Sequence, residues 1–491
     1  MSGGTPQRDA TVADRTPVLG SVIDGIEHTT GERVDDLNPA RRDEVVARWT
    51  RADSEVAQKA VAAAAGAALR WAATPAPARG EVLRRAADLV EQRAAGMAHD
   101  LAREEGKTLG EAEGEVKRAA AILRYYAAEA LAPDGETVPS HSDDTMLYAR
   151  RVPLGVVSVI TPWNFPLAIP AWKMAPALAY GNTVVWKPSE LTPLTSWHLT
   201  RALHDAGLPE GVLNTVLAYG QDVGDVLVGH DQVAAVSFTG STATGRRIAR
   251  TAAAAMTPVQ LELGGKNPAI VLADADLDHA ADQVARGAFL STGQKCTATS
   301  RVIVEQSVLP EFTDRLVAKA ESWQVGDPLD RETVIGPLVS QGQYEWVREL
   351  LGSGEAAGAD RLTAPRHVPD GGWYMAPEVY RCDAENLLAR EELFGPVAAV
   401  LPAADFDDAV RQANDTPYGL TAALFTTDLG RALRFVDRVQ AGVVKVNQES
   451  AGLEFQVPFG GMRASSSGSR EQGRAAREFY TQWKTVYIDY R

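Results

Sequence analysis

Two cysteines and eight histidines in 491 residues leave little material for several kinds of chemistry. Cys296 and Cys382 are far apart and form no C-x-x-C, so they build neither a disulfide framework nor a thiolate zinc site, and no metal is expected. Such sparing use of thiols fits a reducing cytoplasm. No uninterrupted apolar stretch of about 18 residues is present to cross a membrane. The polar stretch from Met1 to Arg15 lacks the apolar segment of a signal peptide. Positive charge is short as well: 49 basic against 64 acidic residues leave a net charge of −15. An acidic surface repels nucleic acid and anionic lipid, so neither is an expected partner.

What is present is an ordinary globular composition, 45% apolar and 23% charged, over a length that implies two or three domains. Residues 1–17 read as a flexible arm. Ser54–Ala73 and Ala76 to about Ala132 are rich in Ala, Glu and Arg with helical periodicity, separated by Pro75 and Pro77. From Val152 the signature changes. Apolar, β-branched runs at 152–161, 182–187, 212–217, 234–238 and 269–272 alternate with helical segments such as 171–179 and 196–206. That is the pattern of a parallel sheet covered on both faces, an α/β fold. A second alternating series runs from about Asp278 to Pro458. The segments 133–151 and Trp483–Ile488 stand apart as strands too solitary to be stable alone. They are expected to pair with each other or with a neighbouring subunit.

Ligands of open α/β sheets sit at the carboxyl ends of the strands, and several unusual loops fall there. Thr161-Pro162-Trp163-Asn164-Phe165-Pro166 fixes an amide donor between two prolines, suited to an oxyanion. Lys187 and Glu190, around Ser189, are placed to meet a ligand's hydroxyl or phosphate groups. Phe238-Thr239-Gly240-Ser241-Thr242 opens a helix whose bare N–H groups suit an anion, although it is neither G-x-G-x-x-G nor a Walker A loop. Glu262-Leu263-Gly264-Gly265 presents a carboxylate ahead of two glycines; partly buried, it would have a raised pKa and act as a general base. Cys296 stands in Gly293-Gln294-Lys295-Cys296-Thr297, where a core cysteine would have apolar neighbours. None of the histidines lies in these motifs to serve as the base of a thiol hydrolase.

These segments, with Glu391-Glu392-Leu393-Phe394-Gly395-Pro396 and Pro458-Phe459-Gly460-Gly461, resemble the aldehyde dehydrogenase superfamily from about Asp35 onward. The resemblance implies a Rossmann-type cofactor domain (18–132 and 151–262), an α/β catalytic domain (263–460) and a small β oligomerisation element (133–150 and 466–491) exchanged in homodimers or homotetramers. It implies NAD(P)+-dependent oxidation of an aldehyde through a cysteine thiohemiacetal and thioester. Cys296 would be the nucleophile, Asn164 the oxyanion donor and Glu262 the base that activates water; Lys187 joins the catalytic set. Thr161, Pro162, Trp163, Lys187, Ser189, Glu190, Phe238, Gly240, Ser241, Leu263, Glu392 and Phe394 would bind the cofactor. Glu262 favours hydrolysis over transfer to coenzyme A, and Glu190 favours NAD+ because a carboxylate repels a 2′-phosphate.

Within the superfamily the Gly-Gln-Lys-Cys-Thr segment and the tail 465–473 look most like 2-oxoglutarate semialdehyde dehydrogenases. Succinate semialdehyde oxidation, or broad specificity, is the alternative. The succinate semialdehyde group places arginines where Trp172 and Leu290 stand here. Phe165, Ile169, Trp172, Leu290 and Phe455 would instead line an aromatic and aliphatic tunnel. Arg301 and Arg463 are cations available to an anionic substrate, each with surface ion pairing as the plainer reading.

Overall fold

A computed structural model gives the fold and describes residues 16–491. The expected arm lies outside the described residues except for its last two. Parallel strands form the centre of an eight-stranded sheet, in the spatial order Val259–Glu262, Val233–Thr239, Val156–Ile160, Thr183–Lys187, Leu213–Thr215. They are buried almost throughout, which is why they read as continuous apolar runs. The chain enters this series at Val156–Ile160, lays two strands to one side, then crosses over to place Val233–Thr239 on the other. Loops at the carboxyl ends of Val156–Ile160 and Val233–Thr239 therefore diverge and open a crevice.

The apolar run at 152–161 is two strands, not one. Thr145–Pro153 and Val156–Ile160 belong to different sheets, and Gly155, at φ +128°, turns the chain between them. Asn182 fixes the junction. Its Oδ1 accepts from the amides of Leu154 (2.8 Å) and Gly155 (3.1 Å), and its Nδ2 donates to the Tyr480 carbonyl at 2.8 Å.

Antiparallel strands close the edges of the first sheet, Ser21–Ile23 with Ile26–His28 on one side and Ser466–Ser467 on the other. Ser466–Ser467 thus joins the first sheet and not the separate β element expected for 466–491. A second, seven-stranded sheet runs Asp360–Arg361, Glu378–Arg381, Val397–Ala403, Thr299–Glu305, Asn267–Val271, Thr421–Phe425, Val443–Val446, parallel except at Asp360–Arg361. The two solitary segments pair with each other within the chain. Thr481–Asp489 runs antiparallel along Thr145–Pro153, which also holds Gly135–Val138.

The helical region after Pro75 is broken into Ala76–Gln92, Ala94–Glu105 and Leu109–Glu129. Gly106 ends the middle helix at φ +93°, and a Cβ there would stand 2.8 Å from Pro337 Cγ, so both conformation and space require glycine. Thr108 restarts the chain with a capping box to Glu111. This break turns Lys107 inward, where it is 2% exposed.

Candidate active site

The crevice at the strand ends holds two continuous cavities. One, of about 240 Å³, is lined by Thr161, Pro162, Trp163, Lys187, Ser189, Glu190, Phe238 and Gly240 among others. Its neighbour, of about 390 Å³, shares Pro162, Trp163 and Gly240 and adds Asn164, Ile169, Ser241, Leu263, Cys296, Glu392 and Phe394. Lys187 donates to Glu190 at 3.0 Å inside the first cavity, whereas Cys296 lines the second. Ser241 caps the helix Thr242–Ala254 by accepting from the Thr244 amide at 3.3 Å. Thr242 and Ala243 of the first turn line the second cavity, and the unpaired amides of a helix N-terminus suit phosphate. Trp163 meets Phe394 edge-on, ring centroids 5.4 Å apart. At Gly264 a Cβ would collide with the Glu392 carboxylate, so only glycine lets that carboxylate sit here. Glu392 accepts from the Gly265 amide at 3.0 Å, and burial pushes it up to about 7.

Cys296 follows a strained segment. Ser291, Thr292 and Gly293 are all left-handed, at φ +55°, +53° and +67°, and a Cβ at Gly293 would collide with the Gly395 carbonyl. Surrounding bonds hold this shape. Asn267 Nδ2 donates to the carbonyls of Cys296 (2.8 Å) and Ala298 (2.9 Å), and Gln294 Oε1 accepts from the Val339 amide at 3.0 Å. Asn164 Nδ2 donates to the Gln294 carbonyl at 2.9 Å, which leaves one of its two amide hydrogens for a ligand beside the thiol. Burial first, then the carboxylates of Glu392, Glu262 and Glu471, push Cys296 up to about 12. Lys295 points elsewhere, donating to the Arg286 carbonyl at 3.1 Å.

Glu262 ends its strand 3% exposed and does not line the thiol cavity. Burial and the charge of Glu471 raise its pKa well above the ordinary carboxylate range. Ser466 donates to Oε2 at 2.6 Å, while Oε1 is buried with no partner among the described residues.

The residues expected to form the tunnel separate. Ile169 lines the thiol cavity; Phe165, Trp172, Leu290 and Phe455 do not. Trp172 is buried and its indole N–H donates to Glu471 at 2.8 Å. Lys173 beside it is buried too, bonded to Glu471 and Ser237. Arg301 is no surface cation and no free anion partner. It is 3% exposed and donates to the carbonyls of Lys266, Gln412 and Ala413. Arg463 is exposed and donates to the Asn414 carbonyl at 2.8 Å.

With this geometry in place, the comparison with known proteins is decisive: the model of the aldehyde dehydrogenase family matches residues 26–486. The chain belongs to the aldehyde dehydrogenase family. It is 44% identical to an alpha-ketoglutaric semialdehyde dehydrogenase of Bacillus subtilis (strain 168), over 94% of this chain and 96% of that protein. It is 46% identical to an alpha-ketoglutarate semialdehyde dehydrogenase of Haloferax volcanii, with the same coverage of 94% and 96%. The fold superposes with TM-score 0.93 on a betaine aldehyde dehydrogenase of Staphylococcus aureus in complex with NAD+, 34% identical, covering 96% of this chain and 94% of that one. The chain is accordingly an NAD(P)-dependent aldehyde dehydrogenase.

What sequence patterns did not reveal in this aldehyde dehydrogenase is how its two reacting loops are held. The helix Leu109–Glu129 grips both. Glu111 Oε1 accepts from the Ser291 amide at 2.7 Å, on the thiol side. Glu115 Oε1 accepts from the amides of Leu167 (2.8 Å) and Ala168 (3.1 Å), just after Asn164. Lys107 Nζ completes the clamp, donating to Glu115 at 2.6 Å and to the Asn164 carbonyl at 2.8 Å, 4.3 Å from the centre of the Phe165 ring. Burial would lower this lysine, but Glu105 and Glu115 overcome it and hold its pKa up. Lys107→Met strands a buried carboxylate and is expected to cost about 3–5 kcal/mol in a denaturant titration. Drift of Asn164 in the folded fraction lowers kcat by up to about 100-fold. An unchanged unfolding midpoint would contradict the clamp.

Proposed function

We propose that the chain oxidises 2-oxoglutarate semialdehyde (2,5-dioxopentanoate) to 2-oxoglutarate, with NAD+ as the preferred acceptor. The observation that carries the chemistry is that the Cys296 thiol and the Asn164 amide line one cavity, continuous with the crevice at the strand ends. The identity to two semialdehyde dehydrogenases along nearly the whole chain supports the substrate.

The residues fit the cofactor. Lys187 and Glu190 would take the adenosine ribose, the amides after Ser241 the pyrophosphate, and Glu392 the nicotinamide ribose, with Phe394 packed on the nicotinamide side. When bound, NAD(P)+ supplies the hydride acceptor. Glu190 repels a 2′-phosphate, which supports NAD+. The protein does the remaining work. Cys296, as thiolate, adds to the aldehyde carbon, and the oxyanion lies between Asn164 Nδ2 and the Cys296 amide. Loss of the carbon-bound hydrogen with its electron pair leaves a thioester on Cys296. Glu262 takes a proton from water, the hydroxide displaces the thiolate, and the acid leaves.

The assembly proposed is a homodimer or homotetramer, built on the three-stranded sheet. Its edge strand exposes Trp483 (51%) and Tyr487 (72%), surface a partner copy would cover. Two unpaired cysteines support a cytoplasmic location. NAD(P)H absorbance tests the substrate, with 2-oxoglutarate semialdehyde, succinate semialdehyde, betaine aldehyde and pentanal offered with each cofactor. The highest kcat/KM is expected for the first aldehyde with NAD+; a higher value for succinate semialdehyde would replace the reading.

A further inference from the structure

An oxo-acid aldehyde carries its carboxylate at the end remote from the reacting carbon, and a buried carboxylate needs a cation. The thiol cavity offers none: its charged lining groups are the carboxylates Glu391 and Glu392. Most other buried cations are committed; Lys266, whose Nζ is also buried without a partner among the described residues, sits within electrostatic reach of Arg301, Glu391 and Glu392 and does not line the thiol cavity. Lys107 is bonded to Glu115, Lys173 to Glu471, Lys187 to Glu190, and Arg301 to three carbonyls.

Arg118 is different. It has no hydrogen bond or ion pair among the described residues, and its Nη2 is buried without a partner. Guanidinium groups are rarely buried unpaired, because their N–H groups lose water and gain nothing. Its position is informative. On the helix Leu109–Glu129, residues 111, 115, 118, 122 and 125 recur at intervals of four and three and share one face. Above Arg118 on that face, Glu111 holds the thiol loop and Glu115 holds the amides following Asn164 and Phe165. Below it, Tyr125 packs edge-on against Phe455, centroids 5.8 Å apart. Arg118 therefore lies on the helix face between the contacts to the Asn164 loop and the contact to the segment carrying Phe455. That same segment approaches the nucleophile where Ser450 donates to the Thr297 carbonyl at 2.7 Å.

The local charge also suits an anion. Lys445 lies within electrostatic reach of Arg118 and donates only to the carbonyls of Ala451 and Gly452. The carboxylates near Arg118 are Glu115 and Glu454, and those near Lys445 are Glu449 and Glu454. Glu115 is fully used by Lys107, Leu167 and Ala168. Glu454 is exposed and accepts from Gln456 at 3.1 Å.

We propose that Arg118 receives the remote carboxylate of the aldehyde substrate and sets the preference for anionic aldehydes over neutral and cationic ones. This rests on the oxo-acid semialdehyde reading above and names the residue responsible for it. A planar guanidinium takes a carboxylate through two parallel N–H bonds, which an ammonium cannot reproduce.

The test compares 2-oxoglutarate semialdehyde with pentanal, equally long and uncharged, in wild type, Arg118→Met and Arg118→Lys. The Met variant is expected to raise KM for the semialdehyde by about 10- to 100-fold and leave KM for pentanal within about twofold. Lys should recover part of the loss. Equal losses on both aldehydes, or a semialdehyde preference that survives in the Met variant, would overturn the role of Arg118 alone. A wild type that oxidises pentanal as efficiently as the semialdehyde would overturn the substrate reading, and this role with it. If Met does not fold, the Lys variant decides: a semialdehyde KM equal to wild type refutes bidentate capture.

Discussion

Cys296→Ala is expected to remove NAD(P)H formation with every aldehyde, by about 10⁴-fold or more, the order found when a covalent nucleophile is deleted. The change should leave the fold intact. Cys296 is half-buried, and what shapes its loop is the set of bonds to its own carbonyl and to those of Gln294 and Ala298, none of which uses sulfur. Equal melting temperatures with lost turnover would separate chemistry from folding, and measurable turnover in the variant would end the nucleophile assignment. The same thiol carries a pH signature. With burial and three carboxylates holding it at about 12 in the cofactor-free protein, it is protonated at neutral pH. Its alkylation by iodoacetamide should therefore climb roughly tenfold per pH unit from neutrality to about pH 10. A plateau near neutrality would show the thiolate already formed.

Glu262→Gln should give a different failure. The thioester still forms, so the first turnover releases about one NAD(P)H per subunit. Steady turnover then falls by about 10²–10⁴-fold, the usual worth of a positioned base. Glutamine keeps the shape and can still accept from Ser466, but it cannot take a proton from water. The raised pKa of Glu262, caused by burial and by Glu471, makes the ionised form a stronger base than an exposed carboxylate. A rapid-quench burst followed by a stall is the expected trace. Unchanged steady turnover would assign the base elsewhere.

The loops that line the crevice were legible in sequence because they break pattern. Thr161–Asn164 and Phe238–Gly240 interrupt apolar strands with proline, glycine and polar groups at the ends where ligands collect. Glu111, Glu115 and Lys107 were not. Charged residues on an Ala-rich helix look like a solvated face, and the one local signal on offer was the Thr108-x-x-Glu111 spacing of a capping box. Trp172 is expected in the substrate tunnel because it stands where the succinate semialdehyde group carries an arginine. Its actual partner, Glu471, is 299 residues away, a pairing that local pattern does not contain. Arg301 misled for a like reason: the carbonyls that hold it come from two segments distant in sequence, at Lys266 and at Gln412–Ala413.

Three bonds to the last thirty or so residues bear on the order in which this protein can be made. Ser466–Ser467 completes an edge of the first sheet, Glu471 neutralises Lys173, and the Tyr480 carbonyl binds Asn182. Until those residues leave the ribosome, the fully buried Lys173 has only the Ser237 hydroxyl, and the sheet translated first cannot close. The half built on the first sheet must therefore wait, unfinished and sticky, until residues 466–480 have been made, which makes it the part most dependent on chaperones.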